Sequence, residues 1–228
     1  MLNSSTHYLL DQTDRKILAE LDRNCRISMV QLGKKVRKSR EVVTYRIAKL
    51  QEEGVITGFI TSINPHKFGY SMFKVYLKLD NIPIERERFF ASLKLNQYVY
   101  WMGICDGAYD CVLALLSKDV VEYHELVHNL LFEWKHLIVS QVLGTMVDTK
   151  QFTKRFFVTS SVPSSLVINS GEYVTFGGHV ESFFIDNLDR SLLRILTHNA
   201  RMPLLQLAHS LHSTVEIVRR RMHILEQR

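Results

Sequence analysis

The chain is short of cysteine, of targeting features and of long apolar stretches. Its three cysteines, Cys25, Cys105 and Cys111, make an odd count with no Cys-x-x-Cys spacing among 228 residues. That excludes a disulfide framework and makes a reducing cytoplasm the simplest setting. Cys105 and Cys111 are expected on neighbouring strands, where pairing is conceivable but packing as small hydrophobes is preferred. No apolar run approaches the roughly 18 residues that a membrane helix needs, so no membrane partner is expected. The opening Met-Leu-Asn-Ser-Ser-Thr-His has no basic region followed by an apolar one. Secretion is therefore not expected, and a cytoplasmic location is. A large net charge is missing too, the total being +6. Residues 1–60 hold 11 Lys/Arg against 7 Asp/Glu, and residues 185–228 hold 7 against 4. The 124 residues between them hold 11 against 12. All the excess positive charge lies at the two ends, which suits a polyanionic partner.

Those two ends are copies of one another. Leu10–Glu53 aligns with Ile185–Arg228 without a gap at an offset of 175. Identical pairs include Asp11/Asp186, Asp14/Asp189, Leu21/Leu196, Asn24/Asn199, Arg26/Arg201, Leu32/Leu207, Val43/Val218, Arg46/Arg221 and Leu50/Leu225. Gap-free recurrence of a supersecondary unit implies one device built twice. Within it, Asp11 is a natural helix N-cap, with Asp14 adding a second carboxylate near the positive end of the dipole. Ile17, Leu18 and Leu21 follow at helical spacing, and Asn24 can close the helix by adopting a left-handed conformation. Ser28 caps a short second helix with Val30, Leu32 and Val36 as its apolar contacts. Pro203 stands there in the second copy, acceptable in a first helical turn. Arg37-Lys38 form the turn, and Ser39 caps a third helix carrying Val43, Ile47 and Leu50 one turn apart.

Burying those three turns Arg40, Glu41, Thr44 and Tyr45 outward near the helix N-terminus, the part of a helix-turn-helix that reaches base edges in the major groove. Arginine can pair bidentately with guanine, and threonine can bond a base or touch a thymine methyl. Between Gly33 and Leu50 there are seven Lys/Arg against one Glu. Lys38, Ser39, Arg40, Glu41, Thr44, Tyr45, Arg46 and Lys49 are therefore the candidate DNA-binding residues. The surrounding cations suit phosphates, which orient without specifying. Glu53-Gly-Val-Ile-Thr-Gly-Phe59 supplies turn glycines and an alternating apolar strand, fitting a wing.

These segments resemble the leucine-responsive/asparagine-regulator (Lrp/AsnC) family of transcription factors. Leu10-Asp-Gln-Thr-Asp-Arg-Lys-Ile-Leu18 is similar to the family's opening helix, and Asn24-Cys-Arg-Ile-Ser28 to its turn. Ser39-Arg-Glu-Val-Val-Thr-Tyr-Arg-Ile-Ala-Lys-Leu50 is similar to its recognition helix, and Glu52-Glu-Gly-Val-Ile-Thr-Gly58 to the start of its wing. The resemblance covers residues 10 to about 150, and 185–228 again, a two-headed arrangement like that of archaeal members. It implies a cytoplasmic transcriptional regulator that is a homodimer or higher oligomer and binds double-stranded DNA. Its members include sensors of amino acids and other small effectors.

The middle of the chain reads as βαββαβ. Residues 71–80 alternate as a half-buried strand does, and Pro83 opens a helix through about Leu95 bearing Phe89, Phe90 and Leu93. Val99–Cys105 and Tyr109–Leu116 form a strand pair around Asp106-Gly-Ala108. Asp119 caps a helix through about Trp134, with Val120, Val127, Leu130, Leu131 and Trp134 on its apolar side, and Ile138–Thr149 is the last strand. That order predicts a ferredoxin-like sandwich, the fold of the family's dimerising and effector-binding domain by resemblance. Gly107-Ala-Tyr-Asp110 resembles the family's Gly-x-Tyr-Asp signature near the effector pocket, which marks Gly107, Tyr109 and Asp110. A hairpin turn followed by a core tyrosine accounts for the same residues equally well. Lys154–Val158 is expected to add a strand to a connector punctuated by Pro163, Gly171 and Gly177-Gly178.

His124-Glu-Leu-Val-His128 matches the H-E-x-x-H pattern of zinc hydrolases, in which two histidines share a helix face and the glutamate activates water. The same stretch lies on a helix the sandwich already claims, where solvated histidines are the preferred reading, with no metal or cofactor. In the second copy Arg219 and Arg220 take the places of Thr44 and Tyr45, so that copy reads a different sequence, binds mostly phosphate, or dimerises. The expected class is α+β: a winged helix-turn-helix at 1–60, a ferredoxin-like domain at 61–152, a connector at 153–184 and a second helix-turn-helix at 185–228 without a complete wing. A non-enzymatic DNA-binding regulator is the leading expectation. The rivals are a sirohaem decarboxylase-like enzyme, which shares the family's fold and would use His124, His128 or His136, and a protein-interaction scaffold.

Overall fold

The structure is a computed structural model that describes residues 8–152 and 173–227. They fall into two units, one running to Ser62 and resuming at Ile185, the other comprising Ile63–Gln151 with Thr175–Phe184.

In the first unit each copy folds into three helices, α1 (Gln12–Arg23), α2 (Met29–Val36) and α3 (Arg40–Glu52), then α6 (Asn187–His198), α7 (Leu204–Ser210) and α8 (Val215–Glu226). Both opening helices start with a capping box: Asp11 accepts from the Asp14 N–H and Asp186 from the Asp189 N–H, while the second aspartate of each pair accepts in return. Ser28, Ser39 and Thr214 cap α2, α3 and α8 through their hydroxyls. The first core is Ile17, Leu21, Leu32, Val36, Val43, Ile47 and Leu50 with Ile27. The second contains Leu192, Leu196, Leu207, Val218 and Met222 at the matching places, so the repeat is a repeat of packing.

Four expectations need correction here. Asn24 ends α1 in an extended conformation (φ −149°), because its side chain accepts from the Arg26 N–H and turns the chain without a left-handed residue. Val30 is 51% exposed, and Met29 packs against the core in its place. Pro203 is the residue before α7 and has no capping side chain, its ring supplying the fixed φ of −58° instead. The segment after α3 runs without forming a strand, since its polar backbone finds partners elsewhere. The Val55 and Ile56 N–H groups bond Leu50, the Phe59 carbonyl accepts from Ala200, and the Thr61 N–H donates to Leu196.

The second unit is the ferredoxin-like sandwich. Its strands β1 (Ser71–Leu79), β2 (Val99–Ile104), β3 (Cys111–Ser117) and β4 (Ile138–Thr145) form an antiparallel sheet in the order β2-β3-β1-β4. Val75 lies opposite Leu113 on one side and Leu143 on the other. Helices α4 (Pro83–Leu95) and α5 (Val120–Leu131) supply Phe89, Leu93, Tyr123, Val127 and Leu131 to a core shared with Phe73, Val75, Leu77, Leu113 and Leu115. Val127, Leu130, Leu131 and Trp134 lie on the core side as expected, but Val120 is 55% exposed and Tyr123 is buried in its stead, stacked on Phe73 with ring centres 4.3 Å apart. A short 3-10 turn, Phe132–Trp134, follows α5. The long last strand is broken, and β5 (Asp148–Phe152) pairs instead with β6 (Tyr173–Gly177). Gly177 has φ +102°, and a Cβ there would stand 2.6 Å from the Val147 carbonyl oxygen, so glycine is required. The strand expected at Lys154–Val158 lies outside the described residues. All three cysteines are free thiols. Cys111 packs as a small hydrophobe, burial pushing its thiol up to about 12, whereas Cys105 is exposed beyond the end of β2.

Candidate nucleic-acid interface

The α3 surface is set by the turn that precedes it. Arg37 closes α2 in the left-handed region (φ 57°), and the Lys38 N–H returns to the Gly33 carbonyl at 2.9 Å. Ser39 then begins α3, and Val43, Ile47 and Leu50 anchor its inner side at 0%, 6% and 0% exposure. Lys38, Ser39, Arg40, Glu41, Thr44 and Tyr45 are all exposed, Tyr45 to 65%. Thr44 spends its hydroxyl hydrogen on the Arg40 carbonyl at 2.8 Å, leaving the oxygen lone pairs and the methyl outward. Its own backbone N–H and the Ser39 hydroxyl hold the Glu41 carboxyl below the usual range, so it is an acceptor at neutral pH. A ridge of one arginine, one carboxylate, one threonine and one tyrosine at a helix N-terminus can read base edges. Lys34, Arg37 and Lys38 flank it as exposed cations.

Two of the expected contacts are turned away from this ridge. Arg46 Nη1 bonds Asp11 Oδ2 at 2.6 Å and the buried Asp14 Oδ1 at 2.9 Å, tying α3 to the start of α1. Lys49 lies with its Nζ 5.1 Å from the centre of the Tyr8 ring. The second copy repeats the tie: Arg221 bonds Asp186 at 2.7 Å and Asp189 at 3.2 Å. Recurrence alone does not single this clamp out, because Arg15, Arg26 and Glu41 recur unchanged as well as Asp11, Asp14 and Arg46. Asp11 is partly desolvated, which opposes ionisation, yet the Asp14 N–H and the Arg46 guanidinium together hold its carboxyl below the usual range.

In α8, Arg220 is exposed and Arg219 pairs with Glu216 at 2.7 Å. Both line a cleft of about 460 Å³ that also meets Arg26, Leu204, Met222 and His223.

In the sandwich, the Gly-x-Tyr-Asp segment forms a braced hairpin end. Gly107 has φ +119°, and Tyr109 lies 5.4 Å from the Tyr76 ring centre. Asp110 is buried and accepts from the Leu79 N–H at 2.9 Å and Arg86 at 3.1 Å, with Lys78 at 3.3 Å. The Leu79 N–H is the leading cause that holds its carboxyl low, outweighing burial, with Lys78 and Arg86 adding to it. His124, Glu125 and His128 are exposed on α5, and His136 stands 3.6 Å from Glu85. Among the described residues, no group of three or more His, Cys, Asp or Glu side chains is placed to hold a metal ion. Nor is any helix among them long and apolar enough to cross a membrane.

Comparison with known proteins agrees with this architecture. Residues 10–57 match a winged helix-turn-helix DNA-binding family model, and residues 185–226 match an AsnC-type helix-turn-helix domain. The chain is 31% identical over 132 residues to the proline dehydrogenase transcriptional activator of Rhodobacter capsulatus, covering 57% of this chain and 85% of that protein. To the leucine-responsive regulatory protein of Salmonella typhimurium it is 28% identical over 145 residues, covering 62% of this chain and 88% of the relative. The fold is shared with a transcriptional regulator of Neisseria meningitidis solved in complex with L-methionine. That comparison has a TM-score of 0.57 at 22% identity and covers 69% of this chain and 99% of that one. The chain belongs to the Lrp/AsnC family of helix-turn-helix transcriptional regulators.

Proposed function

We propose that the chain reads duplex DNA by laying the outward side of α3 in the major groove, with Arg40, Thr44 and Tyr45 at base edges. The observation that carries this is the division of one helix: its inner side is sealed in a core, while its capped N-terminal outer side is exposed. Lys38, with neighbouring Lys34 and Arg37, takes the phosphates, and Arg46 acts from beneath by fixing α3 on α1.

Self-association fits the face of the sheet opposite the helices. Tyr76 lies opposite Val112 and Val142 there, Lys74 stands 4.4 Å from the centre of the Trp101 ring, and Trp101 and Val142 are 49% and 46% exposed. An apolar sheet face of this kind is suited to a second copy, giving a dimer that presents two α3 helices to half-sites about one helical turn apart. The L-methionine bound by the Neisseria relative supports a small effector for this chain as well. An effector acting at Gly107, Tyr109 and Asp110 would compete with Leu79, Lys78 and Arg86 for the Asp110 carboxylate. The setting is cytoplasmic and the role non-enzymatic. A decarboxylase would need convergent histidines, whereas His124 and His128 face outward from α5.

The test is a titration of duplexes selected from a random pool by the full chain. Arg40→Ala/Tyr45→Ala is expected to lose tenfold or more in affinity, since each good base contact is worth about 1–3 kcal/mol. Binding that equals the unsubstituted chain would refute the reading.

A further inference from the structure

The two helix-turn-helix copies meet through the same loop. Between α1 and α2 the first copy carries Cys25, Arg26 and Ile27; at the offset of 175, the α6–α7 loop carries Ala200, Arg201 and Met202. Arg26 Nη1 crosses to the second copy and donates to the Ala200 carbonyl at 2.5 Å and the Met202 carbonyl at 3.1 Å. Arg201, its repeat partner, turns back toward the first copy, with its guanidinium carbon 5.0 Å from the centre of the Phe59 ring. Two backbone bonds close the seam, Ala200 N–H to Phe59 O at 2.8 Å and Thr61 N–H to Leu196 O at 3.2 Å.

The equivalent loops face one another in an approximate two-fold contact within a single chain, Arg26 bonding the matching loop while Arg201, Ala200 and Leu196 meet Phe59 and Thr61, which have no counterpart in the second copy. Dimeric helix-turn-helix proteins use such two-fold contacts to set equivalent helices on paired half-sites. Both outward faces remain exposed, Arg40, Thr44 and Tyr45 on α3 and Arg219 and Arg220 on α8. Their chemistry differs, because two guanidinium groups stand where the first copy has a hydroxyl and a phenol.

We propose that one chain is itself a pseudo-two-fold DNA reader, in which α3 and α8 engage one duplex on two unlike half-sites held at fixed spacing by the Arg26 seam. This rests on the α3 reading above and extends it to the second copy. Arg220, and Arg219 once it exchanges its Glu216 partner for the duplex, favour guanine edges or phosphates, so the element under α8 differs in sequence from that under α3.

The experiment selects duplexes with the full chain and footprints them with the unsubstituted protein, Arg219→Ala/Arg220→Ala and Thr44→Ala/Tyr45→Ala. The expected duplex carries two unlike elements, and R219A/R220A loses protection over one of them with about a tenfold or greater loss of affinity. Inserting five base pairs, about half a helical turn, should weaken the unsubstituted chain to the level of R219A/R220A and leave that variant unaffected. Arg219→Lys/Arg220→Lys, which keeps both charges, should fall between the two and guards against a folding defect. A single kind of element, unchanged footprint and affinity in R219A/R220A, or indifference to the insertion overturns the proposal. In any of those cases, lost binding by T44A/Y45A leaves the α3 reading standing, whereas intact binding by T44A/Y45A overturns that reading separately.

Discussion

At the scale of single residues, the charged side chains divide into those that build the scaffold and those that face outward, and sequence alone sorted them imperfectly. Arg46 sits among cations on a helix that reads as DNA-facing, yet it is held by a carboxylate that is 99% buried by side-chain exposure, Asp14 at 1%. Only long-range packing of α1 against α3 reveals this. Arg46→Ala leaves that carboxylate without its counter-charge, though still bonded by the Asp11 N–H and the Tyr8 hydroxyl, and should cost about 1–3 kcal/mol, less than a fully buried pair because the guanidinium is partly solvated. Urea unfolding would measure it, and Arg221→Ala should behave alike in the second copy. Asp110 offers a pH test. The Leu79 N–H, Lys78 and Arg86 hold its carboxyl low in the folded chain, so its contribution is full above the unfolded value of roughly 4 and fades as pH falls through the folded one. Asp110→Asn should therefore lower stability at neutral pH and flatten the acid limb below about pH 4 in the same assay. A parallel acid limb in both proteins would mean the brace contributes nothing.

At the scale of elements, the helices were legible because their caps and apolar spacing are local signals. Pro83 and Leu95 bound α4 as expected, and Ser28 and Ser39 cap where expected. The inner positions of α3 were legible for the same reason. What sequence missed was decided by partners distant in the chain. Gly54–Phe59 has a strand-like alternation, but its hydrogen bonds go to Leu50 and to Ala200, so no ladder forms. Residues 138–149 read as one strand because nothing local announces that β5 departs to pair with β6. Val30 and Val120 were expected inside and lie outside, since helical periodicity fixes a face only to within about one residue. The contrast is measurable: Leu32→Ala, at 0% exposure, should cost about 2–5 kcal/mol, and Val30→Ala less than about 0.5.

At the scale of the whole molecule, the duplication was the feature sequence conveyed best, and the seam between the copies the feature it concealed. Arg26 and Arg201 were visible as an identical pair, but an identical pair does not say that it meets itself across an interface. Binding to DNA by two basic ends should be strongly salt-dependent. With about eight phosphates contacted by the dimer proposed above, the log–log slope of affinity against salt should lie near −7, and shallower if α8 stands clear of the duplex. The central claim is that the outer side of α3 enters the groove, and site-directed photocrosslinking tests it most directly. A photoreactive phenylalanine analogue at Tyr45 should crosslink to bases inside the selected site, while the same probe at the 88%-exposed Leu95 should not. Crosslinking from Leu95, with Tyr45 silent at saturating DNA, would contradict the account.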